Sequence, residues 1–385
     1  MNTYKLSDFD YNLPKELIAQ YPIKERGTSR LLVVNRNTEE VLVKRFIDLI
    51  DFLNAGDVVV LNNTKVLKAR LIGKTESGVK IDVLLINKIS EKRYEILIKP
   101  LRKLKDKERL SFNPSQKSPG FGSSTLTIPS IVRDSPQDEY KLFFAREGAP
   151  VFRPRSSTND SITAEFKKGK DGKNYLEFNS NGLNLNEIAT MPLPPYIKRL
   201  PEEMDFERYQ TVYAKNEGAI ASPTAGLHFT KEILDSLIQK GIRVCYITSN
   251  IGYSTFKKVR SEDIKEHKLE PEYFTLSRET AEILNEARQN KKKILSVGTS
   301  STRVLETCFR DGKIVAKEGY SDLFIYPPFK FNVVNILLTN FHMPKTTLLM
   351  LASAFCGRDL LFRAYDIAIK ERFRFLSYGD AMVII

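Results

Sequence analysis

Residues Tyr209–Thr230 read YQTVYAKNEGAIASPTAGLHFT, in which a short apolar run, Ala219 to Ala221, empties into a loop with a helix start behind it. Ser222, Pro223, Thr224, Ala225 and Gly226 are small or rigid enough for a backbone to approach a ligand closely. His228, just beyond them, is the only side chain of the loop that titrates near neutrality. Such a loop is a candidate active site. The same residues are also ordinary turn chemistry, and a loop histidine is often solvated or structural, so both readings stand at this point.

Working outward, the chain on the C-terminal side alternates strands and helices. Thr230 is placed to cap a helix whose stripe of Ile233, Leu234, Leu237 and Ile238 ends at Gly241, before the strand RVCYIT. Ser277 begins a second helix with Ala281, Leu284 and Ala287, and Ile294 to Val297 is a strand feeding GTSST and a helix around Arg303. Strand NILLT runs into Asn340, Phe341, His342, Met343 and Pro344. Helix TTLLMLASAFC is stopped by Gly357, and the helix AYDIAIKERF and the strand AMVII follow. On the N-terminal side, LLVVNR is a buried strand with Ser29 and Arg30 at its mouth, and Val58 to Leu61 opens straight into Asn62, Asn63, Thr64 and Lys65. This is βαβ logic, and polar residues recur at strand ends, which share one rim in an open α/β sheet. The Asn62 to Lys65 stretch also reads as a plain Asn-rich turn.

Between about Val66 and Ile188 the texture changes to short alternating segments such as VKIDVLL, RYEILI and KNYLEF, broken by turn residues at all-β spacing. Residues 113–139, rich in Ser, Pro and Gly, read as a flexible loop. The run Lys99 to Arg109, KPLRKLKDKER, carries Lys99, Arg102, Lys103, Lys105, Lys107 and Arg109 against Asp106 and Glu108. A solvated loop is the default for such a run, and it is also the best local candidate for phosphate contacts.

Composition narrows the class. A chain of 385 residues, 42% hydrophobic, is long enough for two domains or one domain with a large insertion. No run approaches a membrane span, and MNTYKLSDFD has no apolar segment behind a basic start, so a cytoplasmic protein is expected. Cys245, Cys308 and Cys356 are widely spaced and read as core residues, neither a disulfide framework nor a thiolate metal site. Three histidines far apart show no metal-ligand spacing. GTSST is too short of glycines for a dinucleotide fingerprint, and GxxxxGK[ST] is missing. The net charge is +13, most of it between residues 65 and 189, which suits a polyanionic partner or simple solubility.

Several blocks in order resemble the S-adenosylmethionine:tRNA ribosyltransferase-isomerase family of the queuosine pathway. They are LSDFDYNLPKELIAQYP with SRLLVVNR, GDVVVLNNTKVLKARLIG, PLPPYIKR, YQTVYAKNEGAIASPTAGLHFT, VGTSSTRVLE, SDLFIYPPFKFNVVNILLTNFHMPKTTLLMLASAFCG and ERFRFLSYGDAMVI. Only the region 74–189 is poorly matched. The resemblance implies an α/β main domain, residues 1–65 and 190–385, with an inserted all-β, barrel-like domain, residues 66–189. It implies a monomer, with S-adenosylmethionine as co-substrate and no cofactor; the histidine spacing adds that no metal is expected. It also implies transfer of the ribosyl moiety of S-adenosylmethionine onto 7-aminomethyl-7-deazaguanine in the tRNA anticodon, giving epoxyqueuosine and releasing adenine and methionine.

That reaction needs a base for the carbon beside the sulfonium, a route for adenine to leave, and a neutral attacking amine. Residue type and matched position then give His228 an acid/base role, with Thr224, Tyr213 and Gly226 as its pocket. Asn62, Asn63, Thr64, Arg303 and His342 form a wider substrate-binding rim. Lys99, Arg102, Lys103, Lys105 and Lys107 are the expected tRNA contacts. Two departures stand out. Where the family has a Gly-Ala-Gly-Thr-Phe segment after Leu-His-Val, this chain reads ITSNIGYSTF from Ile247 to Phe256, with Tyr253 adding bulk and Ser254 replacing a glycine. Where the family has His-x-Met-His-x-Glu, it reads His267, Lys268, Leu269, Glu270, Pro271 and Glu272. A tRNA-binding paralogue with lost or altered activity is therefore the alternative. A methyltransferase fits less well, because NNTK stands where its glycine-rich loop belongs.

Overall fold

The computed structural model describes residues 4–113, 131–132, 141–142, 162–179, 184–253, 259 and 261–385. Most of the 113–139 loop, and Ser254 to Phe256 in the first departure, lie outside the described residues. The chain forms two compact units, residues 1–65 with 193–200 and 204–385, and residues 66–192 with 201–203.

The first unit is built on a nine-stranded sheet in the order Val41–Arg45, Arg30–Val34, Ala381–Ile384, Ile336–Asn340, Ile294–Val297, Val58–Asn62, Arg243–Ser249, Glu272–Leu276 and Lys317–Ser321. Its middle is parallel: the Ile336, Ile294, Val58 and Arg243 strands pair in one direction. Val58, Val59, Val60 and Leu61 are wholly buried, as an uninterrupted branched run covered on both faces must be. Helices Lys231–Gln239, Arg278–Gln289, Thr299–Thr307, Thr347–Cys356 and Arg358–Lys370 belong to the same unit. Thr230 and Ser277 cap the first two, their hydroxyls accepting from the Ile233 and Thr280 amides. The three cysteines are free and buried, and burial pushes the Cys245 thiol up to about 11, so none stands ready as a thiolate.

One topological detail positions the site. The Ala381 strand is antiparallel to the Ile336 strand and parallel to the Arg30 strand, so these two begin at the edge where the parallel strands end. Ser29, Arg30 and Asp380 are thereby delivered to the same rim as Asn62, Ser249 and Asn340.

In the second unit, six strands close on themselves in the order Arg70–Thr75, Lys80–Lys88, Arg93–Lys99, Asn174–Phe178, Ile162–Lys168 and Arg109–Phe112. The last returns to the first through the pairs Gly73 with Phe112 and Thr75 with Leu110. A Cβ on Gly73 would lie 2.5 Å from the Ser111 carbonyl oxygen and 2.6 Å from the Phe112 ring, so the seam needs a residue without a side chain. Leu71, Val83, Leu110, Phe112, Phe166 and Leu176 fill the interior. The α/β body with a barrel-like insertion is the architecture expected from the sequence.

Candidate active site

Beyond strand Asn216–Ala219, the chain enters a short 3₁₀ turn, Thr224–His228, before the Lys231–Gln239 helix. Ser222, Ala225, Gly226, Leu227 and His228 are buried, and Thr224 is half-buried. The His228 ring stacks on Phe46 with centroids 5.1 Å apart. Its Nδ1 lies 2.7 Å from Ser29 Oγ, and its Nε2 lies 3.3 Å from Asn340 Nδ2. Burial, reinforced by the nearby Arg26 and Arg374 cations, pushes its pKa down to about 3. The imidazole is therefore neutral at pH 7, and the same burial weakens it as a base.

The turn's other neighbours are polar groups lacking partners. Tyr213 OH packs so closely over Gly226 that a Cβ there would lie 2.1 Å from it, and 2.8 Å from the Thr211 methyl. Among the described residues, Thr211 Oγ1, Tyr213 OH, Ser222 Oγ and Asn340 Oδ1 are buried without a hydrogen-bond partner. Native proteins rarely leave such groups bare, and when they do a ligand is a common explanation. Asp380 accepts from the Arg30 and Arg374 amides at 3.1 and 2.9 Å and so ties the C-terminal loop to the mouth of the Arg30 strand.

The Asn62 to Thr64 corner belongs to the same rim but faces inward. Asn62 Oδ1 accepts from the Ser249 amide, Asn62 Nδ2 donates to the Ser249 carbonyl, and the same nitrogen reaches Ser300 Oγ at 3.4 Å. Asn63 Oδ1 accepts from Thr248 Oγ1 and from Asn216 Nδ2, and Thr64 Oγ1 donates to Asn250 Oδ1. These residues staple the Val58 strand to the Arg243 strand and to the Asn216 segment. Gly298, at φ +88°, turns the Ile294 strand into the Thr299 helix, and its α-carbon faces Ala225.

Two residues expected at the rim are engaged elsewhere. The Arg303 guanidinium gives Nη1 to Glu272 at 2.8 Å, Nε to the Leu323 carbonyl and Nη2 to the Ser321 carbonyl, so it braces the antiparallel edge of the sheet. Glu272 also accepts from the Gly252 amide, which connects this brace to the loop of the first departure. His342 sits behind the rim: its Nε2 is 2.9 Å from Thr339 Oγ1, its amide donates to Tyr365 OH, and burial pushes its pKa down to about 3. His267, in the second departure, is half-buried edge-on to Phe324 at 5.4 Å, and burial lowers its pKa. Sequence reasoning gave no role to Thr211, Arg26 or Arg374, read Ser222 only as a small loop residue, and noted Ser29 and Asn340 only as polar residues at strand ends. Position at a strand mouth was the available signal for the last two.

A family model described as queuosine biosynthesis protein matches residues 6–384, and the chain belongs to that family. A protein of Sulfurihydrogenibium sp. (strain YO3AOP1) named S-adenosylmethionine:tRNA ribosyltransferase-isomerase is 44% identical over 384 residues, covering 99% of this chain and all of the relative. One of that name from Clostridioides difficile (strain 630) is 41% identical, covering 99% of each. The crystal structure of S-adenosylmethionine tRNA ribosyltransferase from Thermotoga maritima is 30% identical with a TM-score of 0.51, over 98% of this chain and all of that one. The expected family, its fold and its ribosyltransferase-isomerase reaction are thus borne out. Among the described residues, no group of three His, Cys, Asp or Glu side chains could hold a metal ion, and no helix is long and apolar enough to cross a membrane.

Proposed function

We propose that ribosyl transfer takes place at the rim around the Thr224–His228 turn, and the observation that carries this is the buried His228 in a turn overlain by the Tyr213 hydroxyl, which has no hydrogen-bond partner among the described residues. The sulfonium acidifies the carbon next to it, and in this reading His228 is the acid/base group that handles that proton, against the cost of a pKa pushed well below neutrality. Thr224, Tyr213 and Gly226 shape the pocket, and Thr211, Ser222 and Asn340 offer hydrogen bonds to ribosyl hydroxyls. Arg26 and Arg374 supply positive charge for the methionine carboxylate. Asn62, Asn63 and Thr64 hold the rim loops in place, and Arg303 and His342 support it from behind.

Residues 1–65 and 190–385 form the catalytic domain in this reading, and residues 66–189 the domain that holds tRNA, in a monomeric cytoplasmic enzyme using S-adenosylmethionine as co-substrate. Lys99, Arg102, Lys103, Lys105 and Lys107 are exposed on the barrel, and no ion pair engages them among the described residues. Neighbouring barrel cations differ: Lys167 and Lys173 are paired with Glu177 and Glu95. Free cations in a tight run suit a phosphate backbone.

The test is release of adenine and methionine from S-adenosylmethionine, dependent on tRNA carrying the precursor base. His228→Ala should lower turnover about 10²–10⁴-fold with tRNA affinity nearly intact. Near-normal turnover would remove His228 from the chemistry. Replacing Lys103, Lys105 and Lys107 by Glu should weaken tRNA binding and lower the salt-dependence slope by about one for each lost phosphate contact. An unchanged slope places the tRNA elsewhere.

A further inference from the structure

We propose, on the reading that tRNA is the substrate, that the cleft between the N-terminal segment, the Ile264–Glu266 turn and the loop after the Lys317–Ser321 strand receives one unstacked base of the anticodon loop. The cleft encloses about 270 Å³ and is lined by Tyr4, Lys265, Phe324, Tyr326, Pro328 and Phe329. Strand Glu272–Leu276 runs antiparallel to Arg243–Ser249, and Lys317–Ser321 runs antiparallel to that, with Ser321 opposite Glu272. Ser321 therefore finishes at the edge where the parallel strands end, and Phe324 comes just after it. The loop that lines the cleft thus leaves the sheet at the rim carrying Asn62 and Ser249, yet the cleft shares no lining residue with the Thr224–His228 turn.

Half-buried aromatic rings gathered around one opening mark a ligand site, and stacking asks that such rings be held still. Phe324 and Tyr326 have centroids 4.8 Å apart, and His267 braces Phe324 edge-on. Phe329 is backed by Phe331 at 4.9 Å, which packs on the buried Phe355 at 4.8 Å. Pro327 and Pro328 fix φ and bring no N–H to satisfy. The rings are ordered before a ligand arrives, so little side-chain entropy is left to lose. The only charged side chain lining the cleft is Lys265, which is exposed and in no ion pair among the described residues. Aromatic faces with a cation beside them are how an unstacked base and its phosphate are held in single-stranded RNA. An apolar peptide would crowd that ammonium, whereas a nucleotide brings a phosphate to it. The adenine of S-adenosylmethionine is not the occupant, because the proposed function places that substrate at the Thr224–His228 turn.

Binding of an anticodon stem-loop RNA to the full chain tests this, in the wild type, Tyr326→Leu, Tyr326→Trp and Lys265→Ala. Loss of the Tyr326 ring should weaken binding about 5–150-fold, the usual contribution of one stacked base, with the salt slope unchanged because no phosphate contact is lost. Tyr326→Trp keeps a ring and should bind nearly as the wild type does. Lys265→Ala should lower the slope by about one. Calorimetry with S-adenosylmethionine alone shows that each variant is folded. If Tyr326→Leu binds RNA as the wild type does, the cleft holds no base and the tRNA reading survives. If Leu and Trp weaken binding alike, the ring does not stack and the proposal falls. Weakened S-adenosylmethionine binding in Tyr326→Leu also overturns it, by giving the ring to the adenine or to the fold. A wild type that does not bind the stem-loop removes the tRNA reading itself, and this cleft's occupant with it.

Discussion

Gly226→Ala tests whether the close approach of Tyr213 to the turn is built into the site. An added Cβ would lie 2.1 Å from Tyr213 OH and 3.1 Å from its Cζ, where ordinary contact begins near 3.4 Å. The hydroxyl must retreat by more than an ångström, yet its ring is held between Phe229 and Tyr246, with centroids 6.5 and 5.9 Å away. Gly226 is not among the residues with a positive φ, so the strain is steric alone. Overpacking of this kind costs about 1–3 kcal/mol, and a shift of about 1 Å in a positioning group can lower turnover on the order of 10²-fold. Urea unfolding, with adenine release on precursor-bearing tRNA, would read both effects. Tyr213→Phe removes the clashing oxygen and leaves the 2.8 Å approach to the Thr211 methyl and the 3.1 Å contact, so adding it to Gly226→Ala should recover part of the lost stability. A Gly226→Ala protein as stable as the wild type, or a double variant no better than the single, refutes the argument.

Two further outcomes follow from buried charge and buried histidine. Arg303 and Glu272 are paired with side chains only 11% and 7% exposed, so Arg303→Ala, which takes the cation from a buried carboxylate, should cost about 3–5 kcal/mol in urea. Replacing both by Met should recover most of that; full stability with weakened S-adenosylmethionine binding would instead return Arg303 to the substrate. His228 and His342 have native pKa values near 3 against an ordinary 6.5, so the unfolded chain binds the extra protons. Their contribution is complete above pH 6.5 and is lost as the pH falls toward 3, at up to about 1.4 kcal/mol per pH unit for each. Urea midpoints at pH 7, 6 and 5 should fall in step, and less steeply in His342→Gln; a flat profile from pH 7 to 5 contradicts the burial argument.

The parts of this fold legible in the sequence are those set by local pattern. Val58 to Leu61 could be read as a buried strand because four branched residues in a row have one good home. Thr230 and Ser277 could be read as caps because their hydroxyls serve amides three residues away. The barrel's strands were legible from alternation, but its closure depends on Gly73 meeting Ser111 and Phe112, a pairing no local pattern contains. The meeting of Ser29 and Asn340 on His228 was hidden for a similar reason: it depends on two strands running opposite to their neighbours. Arg303 was placed at the rim by its proximity in sequence to GTSST. It lies a turn further down the helix than Ser300, near Glu272 and the carbonyls of Ser321 and Leu323.

The unpartnered atoms also bear on why this turn is so tightly packed. A buried polar group without a partner costs about 1–3 kcal/mol, and Thr211, Tyr213, Ser222 and Asn340 each contribute one. A loop free to move would relax until water reached them. The stack of His228 on Phe46, the seating of Tyr213 on Gly226 and the pinning of Asn340 by two carbonyls all oppose that relaxation. On the proposed function, these donors and acceptors are held in place for the ribosyl group they would bind. Preorganisation of this kind favours the reacting arrangement over solvent, and it makes stability and turnover sensitive to the same few contacts.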